Sequence, residues 1–417
     1  MGGLKLVILV SVMMGGAPQE APTDDRLYGR VTTSGGDVIE GFLRWDRNEG
    51  SWVDLLNGDK EIPWQNLREA EELDDRDRRR RDRDRSVSFM GIRISWDEDD
   101  MDGASRATSG LRFGHIETLE VNRERGARIT LKSGEELELS GGSTDLGPAL
   151  RRMVVEERDG RETALRWRDL DRIDFMAAPA GGPPPAGERL YGTLTTWSGE
   201  VFTGFVAWDV DEIFTTDVLD GEERGRTREI EFERIGSIER AGRSGARVTL
   251  TNGETLELRG TNDVNDGNRG IAISDPGLGQ VQVRWEDFES VVFETAPAGV
   301  GAYESFSGGA ELYGRVETER GDPIEGYIRW DNDEEFTWEM LDGSDSGIDF
   351  DIEFGNISVI EKRGDWGADV ELHDGRVFRL EDSNDVNDDN KGIFVRTEDG
   401  ETILIHWEDF DRVVFAR

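Results

Sequence analysis

One stretch of the sequence, Leu190 to Phe293, recurs as a related copy from Leu312 to Phe415. Each landmark moves by the same 122 positions, as in the step from Trp208 to Trp330. A looser copy lies earlier, between Leu27 and Phe175. A period near one hundred residues is long enough for each copy to form a structural unit, so the sequence predicts three tandem repeat units.

Two stretches rich in Ala, Pro and Gly separate the copies, one at 177–187 and the other at 295–310. Such stretches are spacers with few groups that pack, so we expect the units to be separate beads. The predicted segments are a leader at 1–22, a first unit at 23–176 with a charged insertion at about 59–110, a second unit at 188–294 and a third unit at 311–417.

The N-terminus has the pattern of an export signal. Lys5 precedes an apolar run at 6–14, and small residues follow at 15–17. This order predicts a secretory leader, and the apolar run is too short to span a bilayer comfortably. We therefore expect a periplasmic or secreted protein whose mature chain has no membrane span.

Apolar and polar residues alternate through both halves of every copy. In the second copy Val248 and Leu250 alternate with polar residues, and Asn252-Gly253 follows as a hairpin turn. A two-residue loop of this kind supplies the positive φ angles that a tight hairpin needs. A helical period over ten or more residues is not evident. The sequence predicts an all-β protein.

Each half-copy contains short strands, a hairpin and a turn before its last strand, and in this pattern it resembles the SH3-like and Sm-like small β-barrels. The resemblance implies that each unit consists of two small barrels or half-barrels. Sm-like proteins contact RNA through an Asp followed shortly by a Met-Asn pair, and Trp45-Asp46-Arg47-Asn48 lacks that pair. A six-bladed β-propeller is the alternative, because six half-copies with Trp-Asp dipeptides mimic blades.

The first copy carries an insertion. Its early landmarks lie 163 positions before those of the second copy (Trp45 to Trp208), whereas its later ones lie 119 positions before (Phe113 to Phe232). The difference places 44 extra residues within the charged insertion, which mixes Asp and Arg and then alternates like a strand at 86–96. A mixed-charge run is most often a solvated loop, and the alternative is a tether for a partner.

The strongest candidate site is a loop dense in Asn and Asp. Calcium takes about six to eight oxygen ligands, which carboxylates and amide carbonyls supply. The predicted metal-binding residues are Asn262, Asp263, Asn265, Asp266 and Asn268 in the second copy and Asn384, Asp385, Asn387, Asp388, Asp389 and Asn390 in the third. The first copy keeps only Asp145 of these side chains. The alternative is a plain turn, because Asn and Asp cap turns and tolerate left-handed geometry.

The twelve tryptophans form two groups. Those that recur between copies are expected in the core: Trp45, Trp208, Trp330, Trp167, Trp285 and Trp407. Those that do not recur consistently are Trp52, Trp64, Trp96, Trp197, Trp338 and Trp366. Where exposed, the second group would stack on sugar rings or bind a protein partner.

Charge and residue content narrow the possible functions. A net charge of −41 argues against nucleic-acid partners, which attract Lys and Arg. Cysteine is absent, which excludes thiol catalysis and zinc–thiolate sites. The histidines His115, His373 and His406 align with ordinary polar residues in the other copies, and we expect them at the surface. No catalytic constellation emerges, so we predict that the protein is not an enzyme.

Together these observations predict an exported, non-enzymatic binding or scaffold protein, with Ca²⁺ in the Asn/Asp loops of two units. Its partner is an unidentified protein or polysaccharide. The alternatives are a carbohydrate-binding module, a secreted glycoside hydrolase and a purely structural envelope spacer. The hydrolase stays open because, among 91 acidic residues, a carboxylate pair can fall at glycosidase spacing by chance.

Overall fold

The computed structural model describes residues 25–84, 106–122, 126–141, 143–181 and 183–417, and only the backbone of residues 77–84. The predicted leader at 1–22, the strand-like part of the insertion at 86–96 and Trp96 lie outside the described residues. Within the described ranges, no helix has both the length and the apolar character needed to cross a membrane.

Strands dominate the described chain, and the all-β prediction is confirmed. The first unit contains β1 (Tyr28–Thr33), β2 (Val38–Trp45), β3 (Leu55–Glu61), β4 (Arg106–Arg112), β5 (Ile116–Asn122), β6 (Gly126–Leu131), β7 (Glu136–Ser140), β8 (Met153–Glu157), β9 (Glu162–Leu165) and β10 (Leu170–Phe175). The insertion adds one helix, α1 (Trp64–Asp84).

The second and third units repeat this pattern of strands. The second contains β11 (Tyr191–Thr196), β12 (Val201–Ala207), β13 (Val218–Glu223), β14 (Arg226–Glu231), β15 (Ile235–Arg240), β16 (Gly245–Leu250), β17 (Thr255–Arg259), β18 (Ile271–Asp275), β19 (Gly279–Val283) and β20 (Phe288–Glu294). The third contains β21 (Tyr313–Thr318), β22 (Ile324–Arg329), β23 (Met340–Asp345), β24 (Ile348–Glu353), β25 (Ile357–Lys362), β26 (Gly367–Leu372), β27 (Val377–Glu381), β28 (Ile393–Arg396), β29 (Thr402–Ile405) and β30 (Phe410–Phe415).

Seven short 3-10 turns connect strands in the described chain. They are Phe113–His115, Gly147–Ala149, Trp167–Asp169, Phe232–Arg234, Asn262–Val264, Tyr303–Ser305 and Phe354–Asn356.

The strand order interleaves the two halves of each copy. In the first unit it is β4-β3-β7-β6-β5-β10-β1-β2-β8-β9. Strands β1 and β2 of the first half pair antiparallel with β10 and β8 of the second half. Each unit is therefore one open ten-stranded sheet. The expectation of two small closed barrels per unit is wrong, because neither half of a copy closes on itself. The six-bladed propeller is also wrong, because strands of both halves pair within one sheet instead of forming separate four-stranded blades.

The predicted hairpins form, but with a different loop. In the second unit Leu250 and Glu254 close the loop, and the N–H of Gly253 donates to the carbonyl of Leu250 at 2.9 Å. Only Gly253 has positive φ, at 87°. The loop is a turn followed by a left-handed glycine bulge, so the expectation of a two-residue loop is wrong.

A recurring glycine on the second strand lets two backbones approach closely. A Cβ atom on Gly204 would lie 2.5 Å from the carbonyl oxygen of Ser274, and one on Gly326 would lie 2.4 Å from that of Arg396. Any larger residue would push these strands apart, which explains why the repeat keeps glycine at this position.

The units are not separate beads. Strands β19 and β24 pair over five residues, which joins the second and third units into one twenty-stranded sheet. The predicted linker at 295–310 packs on the first unit, where the Tyr303 hydroxyl donates to the carbonyls of Ile116 (3.0 Å) and Phe175 (3.2 Å). The expectation of independent units is wrong, because this linker contributes buried aromatic side chains to the core of the first unit.

Each unit uses an acidic residue at the equivalent position for an ion pair with another unit. One acidic residue in each unit accepts backbone N–H groups of its own turn and also pairs with a cation from another unit. These pairs are Asp54 with Arg189 at 2.9 Å, Asp217 with Arg44 at 2.7 Å, and Glu339 with Lys60. The first unit thus contacts both of the others.

Helix α1 corrects the expectation that the mixed-charge run of the insertion is a solvated loop. Its polar sequence lacks an apolar stripe, and such helices depend on side-chain pairs and on contacts with other elements. Glu72 lies 3.4 Å from Arg68 within the helix. Glu69 accepts from Arg329 of the third unit at 3.0 Å, so α1 bridges from the first unit to the third.

Candidate functional site

The recurring tryptophans form the centre of each unit, as predicted. Trp45, Trp208 and Trp330 have no exposed surface. Each packs edge-to-face on the second recurring tryptophan of its unit, with ring centroids 6.3–6.4 Å apart. Each indole Nε1–H donates at 2.9 Å to the carbonyl of an aspartate, namely Asp145, Asp263 and Asp385. These aspartates therefore belong to the frame of the fold.

A tight turn follows the first of these tryptophans in every unit, at 45–49, 208–212 and 330–334. We call these segments the acidic turns. The two residues after each tryptophan have positive φ, as in Asp209 (47°) and Val210 (60°). Left-handed geometry is costly for a residue other than glycine, and most of all for a β-branched one. The surrounding contacts must therefore hold the turn.

The first aspartate of each acidic turn is fully buried and anchors the turn. Asp209 accepts from the backbone N–H of Arg269 at 2.6 Å and from its guanidinium at 2.7 Å. Arg151 serves Asp46 in the same way in the first unit, and Lys391 serves Asp331 in the third. One cation per unit thus neutralises this carboxylate and positions the turn.

The glutamate that closes each acidic turn lacks such a partner. The Oε2 atoms of Glu49, Glu212 and Glu334 are buried and have no hydrogen-bond partner among the described residues. Burial, followed by the nearby carboxylates Asp211, Asp263 and Asp209, raises the pKa of Glu212 to about 9. Burial likewise raises the pKa values of the other two glutamates well above their ordinary range. A buried carboxyl without a partner must bind a proton or a cation.

In the second unit, three carboxylates of the acidic turn come together. One oxygen each from Asp209, Asp211 and Glu212 lies within 4.8 Å of the others, a spacing that can hold a metal ion. Asp209 has no exposed surface, and the other two are half-buried. We call this group the triad. Hard oxygen ligands in this number suit Ca²⁺ or Mg²⁺.

Two guanidinium groups share the triad. Arg269 contacts both Asp209 and Asp211, and Arg151 of the first unit lies 3.6 Å from Asp211. The side chain of Arg269 is 47% exposed, so it can move into solvent. A cation at the triad would compete with this guanidinium for the same oxygens.

The predicted calcium ligands of the second unit form hydrogen bonds and an ion pair within the fold. The carboxylate of Asp263 accepts the N–H of Asp220 at 2.7 Å, and Asn262 donates to Asp209. Asn265 and Asn268 accept the N–H groups two residues further on, at 2.7 and 3.0 Å. Asp266 pairs with Arg243 at the surface.

The loop of the third unit repeats these contacts. The Asp385 carboxylate accepts the N–H of Asp342 at 2.7 Å, and Asn384 donates to Asp331. The side chains of Asn387 and Asn390 accept the N–H groups of Asp389 and Gly392. Asp388 and Asp389 are exposed. These bonds are typical of turns, and Asp145 does the same in the first unit by accepting the N–H of Asn57 at 2.8 Å.

His115 is buried, so the expectation of a surface position is wrong for it. Its Nε2 lies 3.2 Å from Glu353 of the third unit, and its Nδ1 accepts the N–H of Gly308 at 3.1 Å. Arg112 lies 3.1 Å from the same glutamate. Because both ring nitrogens are engaged, this histidine joins two units and the linker, and it has no nitrogen left to act as a general base.

The tryptophans that do not recur differ in exposure. Trp52 and Trp338 are buried, whereas Trp64, Trp197 and Trp366 are 56%, 69% and 74% exposed. Single exposed aromatic residues are normal on protein surfaces and define no sugar platform by themselves.

The triad could have been found in the sequence. Trp-Asp followed by Glu recurs at 45–49, 208–212 and 330–334, and this spacing places three to four acidic or amide side chains on one turn. The Asn/Asp loops give the stronger calcium signal in the sequence, because they are denser in oxygen atoms. In comparisons with known proteins, no family model, curated protein or solved structure matches this chain.

Proposed function

We propose that this chain is an exported, non-enzymatic scaffold or binding protein that holds a divalent cation, with Ca²⁺ the first candidate, at the acidic turn of its second unit. The observation that carries the proposal is the triad, whose three oxygens lie within 4.8 Å of one another. The buried Oε2 of Glu212, which lacks a hydrogen-bond partner among the described residues, supports it.

The scaffold part of the proposal is supported by the junctions. A protein that presents binding surfaces in fixed positions needs units that do not move freely. Here a buried ion pair joins the first unit to the second, and paired strands join the second unit to the third. Interfaces that include buried and well-packed groups restrict the relative motion of domains.

A cation at the triad would lie next to one of these junctions and would stabilise the folded chain. Asp211 belongs to the second unit and faces Arg151 of the first. A divalent ion would offset two of the three negative charges of Asp209, Asp211 and Glu212 and would release Arg269 into solvent. Because the folded chain alone assembles these oxygens, binding would stabilise it by mass action, by about 2.7 kcal/mol at a free concentration one hundred times Kd.

The test is a set of thermal melts of the full chain in Ca²⁺, Mg²⁺ and EDTA at constant ionic strength. We expect Ca²⁺ to raise the melting midpoint by a few degrees, and Glu212→Gln to abolish the rise. The matched control is Asp266→Asn, which removes an equal charge from a predicted calcium ligand that pairs with Arg243 at the surface. That control should respond to Ca²⁺ like the wild type.

A second variant sharpens the test. Arg269→Gln removes the competing guanidinium but keeps the backbone N–H that Asp209 accepts. We expect it to bind Ca²⁺ more tightly than the wild type, as measured by isothermal titration. Identical melts of the wild type in Ca²⁺, Mg²⁺ and EDTA would refute the metal site and would leave the structural spacer as the better description. Loss of the Ca²⁺ response in Asp266→Asn would move the site to the Asn/Asp loop.

A further inference from the structure

A polar pocket lies where the first unit meets the third. We call it the junction pocket. Strands β3 and β4 of the first unit form one wall, and the acidic turn of the third unit, with strands β23 and β24, forms the other. Its volume is about 350 Å³, which equals that of roughly a dozen water molecules. Every residue that lines it belongs to the first or the third unit.

Carboxylates outnumber cations in the junction pocket. Its lining contains Asp333, Glu334, Glu339, Asp342, Asp351 and Asp385 against Lys60, Arg106 and Lys391. With all these groups ionised, the lining carries three excess negative charges. Asp342 and Asp351 are direct cross-strand partners in β23 and β24, a position where like charges repel. The pocket therefore favours a positively charged ligand.

Two carboxylates of the lining each have a buried oxygen without a hydrogen-bond partner among the described residues. The side chain of Glu334 is 7% exposed, and its Oε2 has no hydrogen-bond partner among the described residues. The Oδ1 of Asp333 is also buried without one. A buried acceptor costs free energy until a donor reaches it, so both atoms are acceptors that a cationic ligand can use.

The pocket already accommodates an alkylammonium group of the chain itself. Lys60 donates to the carbonyl oxygen of Asp333 at 2.5 Å and to the carboxylate of Glu339. Lys391 lies 3.3 Å from Asp331 behind the lining. The chain contains only five lysines, and these two both line this pocket. An ammonium on a flexible stem thus matches the spacing of the acceptors here.

A single metal ion and a sugar fit the pocket less well. Among the described residues, only the triad of the second unit brings three carboxylate oxygens within 4.8 Å, so those of the pocket are more widely spread. The residues that line it include no aromatic side chain to stack on a sugar ring. A small molecule with several separated positive charges would balance the excess negative charge and would also reach carboxylates that lie apart.

We propose that the junction pocket binds a short aliphatic diamine, with one ammonium at Glu334 and Asp333 and the other toward Asp342 and Asp351. This site is independent of the cation site proposed for the triad. A bound diamine would contact both walls and would hold the first and third units together. No covalent step is involved.

Binding should release protons. Burial, followed by nearby carboxylates, raises the pKa values of Glu334 and Asp351 well above their ordinary range. A diamine binds the ionised form, so its affinity should increase as the pH rises from 6 to 8. The other charged groups near these two carboxyls are Lys60, Arg106, Lys391, Asp333, Glu339, Asp342, Asp349 and Asp385.

The experiment is isothermal titration of the full chain with 1,4-diaminobutane, n-butylamine, MgCl₂ and CaCl₂. We expect one diamine per chain and about tenfold weaker binding of the monoamine, because half of the ionic contacts are lost. Glu334→Gln should weaken diamine binding about tenfold or more. The matched control, Glu212→Gln, changes the equivalent residue of the second unit, outside the pocket, and should leave diamine affinity unchanged.

The same two variants separate this proposal from the calcium site. Glu212→Gln should remove the Ca²⁺ response and keep the diamine, and Glu334→Gln should do the reverse. The diamine site would be refuted if the diamine did not bind, if butylamine bound equally well, or if both variants lost affinity equally. It would also be refuted if Mg²⁺ or Ca²⁺ bound more strongly and competed with the diamine. If circular dichroism shows that Glu334→Gln is unfolded, Asp351→Asn takes its place with the same expected loss.

Discussion

Replacing Arg189 by methionine is expected to lower the free energy of unfolding by about 3 kcal/mol, because it leaves a carboxylate of another unit buried and uncompensated. The Arg189 side chain is 1% exposed and that of Asp54 is 5% exposed. The guanidinium NH2 donates to Asp54 Oδ1 at 2.9 Å across the junction of the first and second units. This pair is the most deeply buried of the three that the repeat builds at its junctions.

The magnitude follows from what each group keeps. Removing one partner of a buried ion pair costs about 3–5 kcal/mol. Asp54 still accepts two backbone N–H groups of its own turn, which stabilise its charge and place the loss at the lower end. The carbonyl of Ile213 loses the guanidinium but keeps the N–H of Leu190 at 2.7 Å. Methionine fills much of the aliphatic volume, so a large cavity is not expected.

Urea unfolding followed by circular dichroism measures this loss, and Arg376→Met is the matched control. Arg376 pairs with Asp275 between the second and third units, but the two side chains are 35% and 23% exposed. Its replacement should cost less than about 1 kcal/mol. The double variant Arg189→Met/Asp54→Asn should recover part of the stability, because both members of the pair are then neutral. Equal small losses in Arg189→Met and Arg376→Met would refute the assignment of a buried junction pair.

Three further predictions concern the turn, the linker and the core. In EDTA, the free energy of unfolding of Glu212→Gln should rise relative to that of the wild type by about 1–3 kcal/mol between pH 5 and pH 9. Burial raises the folded-state pKa of Glu212 to about 9, so the wild type loses stability over this range, and partial exposure screens the effect. A constant difference across urea titrations at these pH values would contradict this prediction. Tyr303→Phe should lower the free energy of unfolding, measured in urea, by about 1–2 kcal/mol, since two strand carbonyls lose a buried donor. It should also speed proteolysis within 295–310. An unchanged cleavage rate would argue against the packing of this linker on the first unit. Trp208→Ala should lower the free energy of unfolding by about 3–5 kcal/mol, because Trp208 is fully buried. Trp197→Ala should change the thermal stability little, because Trp197 is 69% exposed. Similar melting midpoints for the two variants would contradict these assignments.

The repeat made the local structure predictable. Copies that keep tryptophan at Trp45, Trp208 and Trp330 identify a core position, and in the structure all three are buried. The repeat predicts the Asn252-Gly253 turn in the same way. It does not predict the loop type, because a glycine bulge and a two-residue turn both place glycine in left-handed geometry. Local periodicity therefore gave the strands and their hairpins.

The helix and the order of the strands depend on distant contacts. Helix α1 has no apolar stripe to reveal it, and its contact with Arg329 lies 260 positions along the chain. The pairing of β1 with β10 likewise joins the two ends of one copy. A reading based on local periodicity divides each copy into halves, since nothing in a strand pattern states which strand will be its neighbour.

The candidate sites show the same division between local and distant information. The triad lies within one turn, and its Trp-Asp…Glu spacing recurs in the sequence. The junction pocket cannot be read from any one copy, because Glu334 becomes part of a pocket only when Lys60 and β4 of another unit cover it. The equivalent Glu212 has the same local turn but faces a different junction.

The acidic residue at 54, 217 and 339 explains why three similar copies can hold different sites. In each copy one carboxylate oxygen accepts backbone N–H groups of its own turn, so the repeat must keep an acidic residue there. The ion pair that the same acidic residue makes with a cation is free to vary. The cation is Arg189, Arg44 or Lys60, according to which unit lies opposite. Because local folding fixes half of each interaction and leaves the other half to the neighbour, substitutions at the junctions can change what a pocket binds without changing the fold of the unit. Glu212→Gln should lose the Ca²⁺ response alone and Glu334→Gln the diamine alone, so the two variants test directly whether equivalent positions of two units serve independent sites.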